Sequence, residues 1–223
     1  MNDIKEIGTG LREIIPENKA DVQTISNMHL DLLRWGPMAS MGKLFLERFC
    51  YTVLINDGLM KAAIYEVDKK PAGFIAYTQF SITFHRTALK KHFFYVVFIM
   101  TISILRNPVL ALNVMKAVKV ILSRRGEYKI RTDPLAEILA IGVYPEFRTP
   151  QFIRRTGLKI SHELFKNSVA FFKSVGLKNM RLAVDSFNKP TLLFYHGLGG
   201  RTEPLKRGGD NMIQFWFDFE HDY

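Results

Sequence analysis

A chain of 223 residues, 48% hydrophobic and with a mean hydropathy of +0.01, is long enough for one well-buried domain and too apolar for a disordered or low-complexity protein. Its single cysteine, Cys50, excludes an intramolecular disulfide and a cysteine-rich metal site, and reads as a small core hydrophobe in a reducing compartment. The net charge of +10 is concentrated: from Arg86 to Arg131 ten Lys or Arg stand against one acid, Glu127, a local excess that asks for a partner carrying negative charge.

The polar N-terminus, MNDIKEIGTG, lacks the charged-then-apolar order of a signal peptide, so a cytoplasmic protein is expected. Leu11–Ile15 predicts a short strand. Asp21–Arg34 predicts a helix, with Val22, Ile25, Met28, Leu32 and Leu33 at helical spacing and Trp35-Gly36-Pro37 as its stop. A second helix is expected after Ser40, with Leu44, Phe45, Phe49, Cys50, Val53 and Leu54 on its apolar side and Asn56-Asp57-Gly58 closing it. Lys61–Val67 and Pro71–Phe80, joined by Asp68-Lys69-Lys70, read as a β-hairpin.

Residues 82–131 then read as two helices, one running to about Leu105, a turn at Arg106-Asn107-Pro108, and one running to about Ser123. The uncharged run Phe93–Leu105 is 13 residues, short of the roughly 20 that span a bilayer. Phe93, Phe94 and Tyr95 sit in one apolar run and do not interleave with the charges, which speaks against nucleic acid as the partner.

Beyond this segment, Leu135–Tyr144 predicts a strand, Thr156–Val175 a helix closed by Gly176, and Leu177–Asp185 another strand. Lys189–Leu198 predicts a short helix, Gly199–Pro204 a turn and Asn211–Phe219 a final strand. Strict alternation along Leu135–Tyr144 puts Glu137, Leu139, Ile141 and Val143 on one face and Ile138, Ala140 and Gly142 on the other. A carboxylate flanked on its face by Leu139 and Ile141 needs a partner or water. Gly157, set between positive charges where a strand gives way to a helix, marks a place where free backbone N–H groups and the helix dipole attract an anion such as a phosphate.

The element order, with Arg154-Arg155-Thr156-Gly157-Leu158-Lys159 and the later stretch DSFNKPTLLFYHGLGG, resembles the GNAT superfamily of acyl-CoA-dependent N-acyltransferases from about Leu11 to Phe219, the 82–131 insertion apart. The first stretch is similar to the family's pyrophosphate motif, with Lys159 standing where a small residue is usual and with Thr149–Arg154 lengthening the approach to it. The second is similar to the family's Asn, Phe-Tyr helix and Gly-rich turn. The resemblance implies one domain over 1–223 with an α/β (α+β) fold: a mixed, mostly antiparallel central sheet flanked by helices, with a helical hairpin insertion.

The resemblance also implies acetyl-CoA as co-substrate, without a metal, and direct transfer of the acetyl group to an amine. It assigns Ile141, Gly142, Val143, Arg154, Arg155, Thr156, Gly157, Leu158, Lys159, Asn188 and Tyr195 to the coenzyme. It makes Tyr195 the donor to the departing thiolate and Glu137 the base that deprotonates the amine, directly or through water. Asn188 also suits the N-cap of the helix that Lys189-Pro190 opens. A Glu137 that reaches solvent or pairs with Arg124, Arg125 or Arg131, and a Tyr195 that only packs, are the structural alternatives.

The positive field suits a small amine acceptor bearing phosphate, such as a nucleotide-linked amino sugar, or a lipid-linked sugar at the inner face of a membrane. A protein or peptide acetyltransferase and a catalytically silent CoA-binding module are the alternatives. For the insertion three roles stay open: a hydrophobic lid beside the acceptor, which is favoured, an interfacial membrane anchor, and a homodimer surface. Zinc proteases, serine hydrolases and Walker-type nucleotide enzymes are excluded by the absence of a second His four residues after His162, of Gly-x-Ser-x-Gly and of a Walker loop.

Overall fold

The computed structural model describes residues 8–34, 36–112, 115, 135–204 and 212–219. Strand β1 (Thr9–Glu13) leads to helix α1 (Lys19–Leu32), the short turns α2 (Pro37–Ser40) and α3 (Lys43–Phe45), and a π-helix (Leu46–Leu54). The hairpin β2 (Lys61–Val67) and β3 (Lys70–Thr78) is followed by α4 (Phe84–Arg106) and β4 (Ala136–Val143). Next come a 3-10 turn (Pro145–Arg148), α5 (Pro150–Thr156), α6 (Ile160–Ser174), β5 (Asn179–Asp185), α7 (Lys189–Gly197), β6 (Arg201–Pro204) and β7 (Met212–Asp218). The strands form one seven-stranded sheet in the order β1-β2-β3-β4-β5-β7-β6, antiparallel at every junction except β4–β5. This is the mixed, mostly antiparallel sheet flanked by helices that the family resemblance implies.

Local chemistry shifts several boundaries. Asn18 accepts hydrogen bonds from the N–H groups of Ala20 and Asp21, so α1 begins before its apolar periodicity does. Arg12 on β1 pairs with both Asp21 and Glu66, tying the strand to α1 and β2, and β1 lies two residues earlier than expected, with Ile14 buried and Ile15 exposed. The hairpin turns on two residues, Asp68 and Lys69, with φ of 49° and 63°, while Lys70 already belongs to the strand. Positive φ at both positions is the geometry that suits the twist of a two-residue hairpin.

The second expected helix is wound more widely than an α-helix. Residues five apart, Phe45 with Cys50, Leu46 with Tyr51 and Phe49 with Leu54, are buried together, as i→i+5 winding requires. Tyr51 therefore enters the core although a period of 3.6 leaves it off the apolar face, and Leu44 and Val53 are only half-buried.

Two cores cover the two faces of the sheet. On one face Phe152, Ile160, Leu164, Phe165 and Phe172 of α5 and α6 meet Ile138, Val184, Phe215 and Phe217. On the other, Val22, Ile25 and Met28 of α1 and Phe49, Tyr51 and Leu54 of the π-helix meet Ile64, Phe74 and Ala140. α1 approaches the sheet closely at Gly142, where an added Cβ would lie 3.0 Å from Leu32 Cδ1 and from Phe74 Cε1.

The first insertion helix forms as α4, 23 residues long and bent at His92 (φ −124°, ψ 24°). At the bend Lys91 Nζ and His92 Nε2 reach Asp57 at 2.7 and 2.5 Å. Among the described residues α4 is the one helix long and apolar enough to cross a membrane by length and composition, because the apolar run Phe93–Leu105 continues one helix rather than standing alone. The second expected helix has Leu110–Leu112 and Met115 helical; the rest of it, with Lys116, Lys119, Arg124, Arg125, Lys129 and Arg131, lies outside the described residues.

Candidate active site

β4 and β5 share only two ladder positions, Ala136↔Met180 and Glu137↔Arg181. Past them β4 continues to Val143 along β3, and β5 continues to Asp185 along β7. The two strands part and leave a fork open toward their C-terminal ends. Alternate backbone N–H and C=O groups of a strand point to opposite edges, so part of the polar backbone of residues 138–143 faces the opening and needs a partner there.

Both helices that follow these strands begin at the open end. α6 comes after β4, and Leu164 in its second turn lies against Gly73 and Val143, since a Cβ on Gly73 would stand 3.1 Å from Leu164 Cδ1 and 2.9 Å from Val143 Cγ2. α7 comes after β5, capped by Asn188, whose side chain accepts from the Thr191 N–H at 3.3 Å. The carboxyl ends of parallel strands, flanked by helix N-termini, are a general ligand and anion site in sheets of this kind.

The expected alternation along β4 does not hold. Ala76 pairs with Ala140 and Tyr77 with Ile138, so Leu139 is an extra residue, a bulge that resets the phase of the strand. Ile138 consequently packs with Ile141 and Val143 against α6, while Leu139 and Ala140 pack on the α1 side. Glu137 and Ile141, expected on one face, are on opposite faces, and the strand's two apolar halves are joined through the bulge beside the fork.

Glu137 lies at the closed end of the fork and is buried. Its Oε2 accepts from Ser81 Oγ at 2.5 Å, Arg181 Nη2 at 3.0 Å and Arg181 Nε at 3.2 Å. Its described partners are thus Ser81 and a residue of the neighbouring strand, Arg181; Arg124, Arg125 and Arg131 lie outside the described residues. Neither Ser81 nor Arg181 was among the sequence candidates; a charged residue inside the apolar strand Asn179–Asp185 was the signal for Arg181.

The glycine turn also differs from its expected form. Thr149 caps a short helix with Pro150 at its first position, so α5 occupies the lengthened approach as an additional helix, and the helix expected from Thr156 begins at Ile160 as α6. Gly157 is the left-handed C-cap of α5 (φ +72°), its N–H donating to Ile153 O at 2.7 Å, and the Leu158 N–H donates to Thr156 Oγ1 at 3.1 Å. The N–H groups of Gly157 and Leu158 are therefore satisfied within the chain, contrary to the expectation of free backbone N–H groups at Gly157. Arg154, Arg155, Gly157 and Lys159 are exposed, and a Cβ on Gly157 would meet open space, so cationic side chains and the first turn of α6 are what this segment offers an anion.

Tyr195 is buried on α7, its ring packed with Phe165, Phe194, Phe215 and Phe217. Burial pushes its phenol above the ordinary value and keeps it protonated, the form that can donate.

No family model matches the sequence, and no curated protein matches it. Solved structures match its fold. An acetyltransferase assigned to the GNAT family from Desulfovibrio desulfuricans is 12% identical, with a TM-score of 0.52 over 95% of this chain and 99% of that one. Spermidine N-acetyltransferase from Vibrio cholerae is 14% identical, with a TM-score of 0.50 over 94% and 93%. NAA60 of Arabidopsis thaliana, solved with acetyl-CoA, is 14% identical, with a TM-score of 0.52 over 96% and 100%. With its parallel fork, flanking helices and antiparallel sheet, the chain has the fold of the GNAT acetyltransferases.

Proposed function

We propose that this chain is an N-acetyltransferase that moves the acetyl group of acetyl-CoA directly to an amine. The observation that carries the reading is the fork between β4 and β5, with two helix N-termini at its open end and Arg154, Arg155 and Lys159 exposed beside one of them. A thioester laid along residues 141–143 would add its polar groups to the free edge of β4, as a further strand would, while its phosphates meet α6 and the three cations. Asn188 and Gly157 belong to the same end.

In this reaction the amine nitrogen attacks the acetyl carbonyl carbon, the carbon–sulfur bond breaks, the thiolate takes up a proton and the new amide nitrogen has lost one. Tyr195 is assigned the donor's role toward the sulfur. Glu137 is assigned the base, acting through water, because its Oε2 is held by Ser81 and Arg181. That same pairing favours a second reading of Glu137, as half of an ion pair that fixes the end of the β4–β5 ladder. A Glu137→Gln variant whose rate loss shrinks at high pH, where the amine is already neutral, supports the base; a loss independent of pH supports the ion pair.

For the acceptor we favour a small amine that carries phosphate. No Asp or Glu occurs between Asp68 and Glu127, so the charges carried by residues 69–126 are all positive. A polyamine of the kind named for the Vibrio cholerae protein, or a lysine-rich peptide, would meet repulsion there. The test is release of free thiol from acetyl-CoA over a panel of amines, together with the melting temperature at millimolar CoA. A rise in melting temperature with CoA, and turnover greatest on phosphorylated amino sugars, is the expected result. A melting curve indifferent to CoA, with no thiol released on any amine, overturns the reading.

A further inference from the structure

From Phe93 to Leu105 helix α4 carries no charge on any side, yet only one side of it is covered. Phe84, Ala88, Ile99 and Ser103 are buried, and Val96 and Met100 pack beside them on the core of the α1 face. These positions follow one stripe along the length of the helix, and Lys91 and His92 fix its middle to Asp57. The opposite stripe carries Arg86 and Lys90, then Phe94, Val97 and Leu105, with Phe94 85% and Leu105 77% exposed. Val109, Leu112 and Met115 extend the exposed apolar surface past the turn at Asn107. An uncovered apolar stripe of this extent on a described surface wants an apolar partner.

Charge identifies that partner. The stripe begins among Arg86, Lys90 and Lys91 and is followed by Arg106, and no acid occurs in residues 69–126. A second copy of the chain docked through a two-fold axis would set this basic patch against itself, which costs electrostatic energy. An acidic bilayer surface instead places headgroups against the cations and acyl chains against the phenylalanines. Crossing the bilayer is not available to α4, because its inner stripe is packed on the protein from Phe84 to Ser103.

We propose that the outward stripe of α4 is a membrane-docking surface that seats the protein on anionic lipid, with α4 lying in the interfacial plane. The step from Ser81, which bonds Glu137, to Phe84, where α4 starts, is three residues, so the docked face and the closed end of the fork are close along the chain. The inference stands on the surface itself and holds whether or not the fork transfers acetyl groups.

The experiment is sedimentation of the full chain with vesicles of phosphatidylcholine alone and of phosphatidylcholine mixed with phosphatidylserine, at low and high salt. Binding to the anionic vesicles that weakens at high salt is expected. Arg86→Glu with Lys90→Glu should lower that binding about 100-fold or more at low salt. Phe94→Ser with Val97→Ser should abolish it without shifting the melting temperature, since both side chains are exposed. Failure to pellet with anionic vesicles overturns the proposal, as does equal binding to neutral ones. A lipid-indifferent dimer that the same serine substitutions dissociate also overturns it, in favour of a second copy as the partner.

Discussion

The two faces of the sheet are built on different terms. The face covered by α5, α6 and α7 is aromatic and apolar, with Phe165, Tyr195, Phe215 and Phe217 in ring contact and Phe172 stacked on Phe219. The face covered by α1, the π-helix and α4 buries polar groups: His29 hydrogen-bonds Tyr51 at 2.7 Å beneath Phe74, and Glu137 is held by Arg181 and Ser81. Alternation sets Glu137 and Arg181 opposite Ala136, Ile138, Met180 and Leu182, which belong to the aromatic core. Regular helices with apolar contacts make a rigid wall, whereas a widely wound helix, a bent helix and buried polar pairs make a surface whose geometry depends on a few specific bonds. The second is the face on which the insertion is mounted.

The sharpest way to break the contrast is at the fork. Arg181→Met breaks the buried ion pair with Glu137 and should lower stability by about 3–5 kcal/mol, read by urea unfolding. Arg181→Met combined with Glu137→Leu should recover much of that loss, because both desolvated charges are gone. An Arg181→Met protein as stable as the parent would show that the pair is solvated and that the polar face is not under the constraint described.

A smaller effect is expected at His29. Burial lowers its pKa from 6.5 to about 4. The unfolded chain therefore takes up a proton at this residue before the folded one does, so the contribution to stability is full above pH 6.5 and is lost as pH falls toward 4. The size is about 3 kcal/mol for a shift of this order. His29→Gln, which keeps an acceptor for the Tyr51 hydroxyl, should flatten melting temperature against pH in that window. A slope unchanged by His29→Gln assigns the acid sensitivity to other groups.

The aromatic face is probed by Tyr195→Phe. It keeps the ring among Phe165, Phe215 and Phe217 and removes only the hydroxyl, so stability should change by less than about 1 kcal/mol. Turnover should fall by about 10-fold or more with CoA binding nearly unchanged, if the phenol serves the departing thiolate. Unaltered turnover assigns Tyr195 to packing alone.

The contrast between the faces also explains what was legible in the sequence. The hairpin, the parallel strands and the Asn188-capped helix follow from period-two and period-3.6 patterns with ordinary punctuation. The π-helix does not, because its five-residue spacing brings in Tyr51 where a period of 3.6 leaves it out. The Leu139 bulge inverted half of β4, and nothing in the strand's own residues marks it, since pairing with β3 decides it. Glu137 stood out as an acid in an apolar strand, but its partner lay on a strand more than forty positions away, a distance pattern reading does not cross. Thr149-Pro150 carried the N-cap signal for α5, and the resemblance drew attention to the glycine beyond it instead.

The smallest expected effect discriminates how that glycine segment would hold a pyrophosphate. Gly157 has φ +72° and open space where a Cβ would stand, so Gly157→Ala should destabilise the fold through backbone strain alone, by about 1 kcal/mol. Because the Gly157 and Leu158 N–H groups already serve Ile153 and Thr156, the alanine should leave the CoA-induced rise in melting temperature intact. Lys159→Ala should instead reduce that rise, since one exposed cation at the start of α6 is lost, by a few-fold in CoA affinity. The opposite ranking, with alanine at Gly157 abolishing the rise and alanine at Lys159 sparing it, would mean that the α5 cap opens to the ligand and turns its backbone donors toward the phosphates.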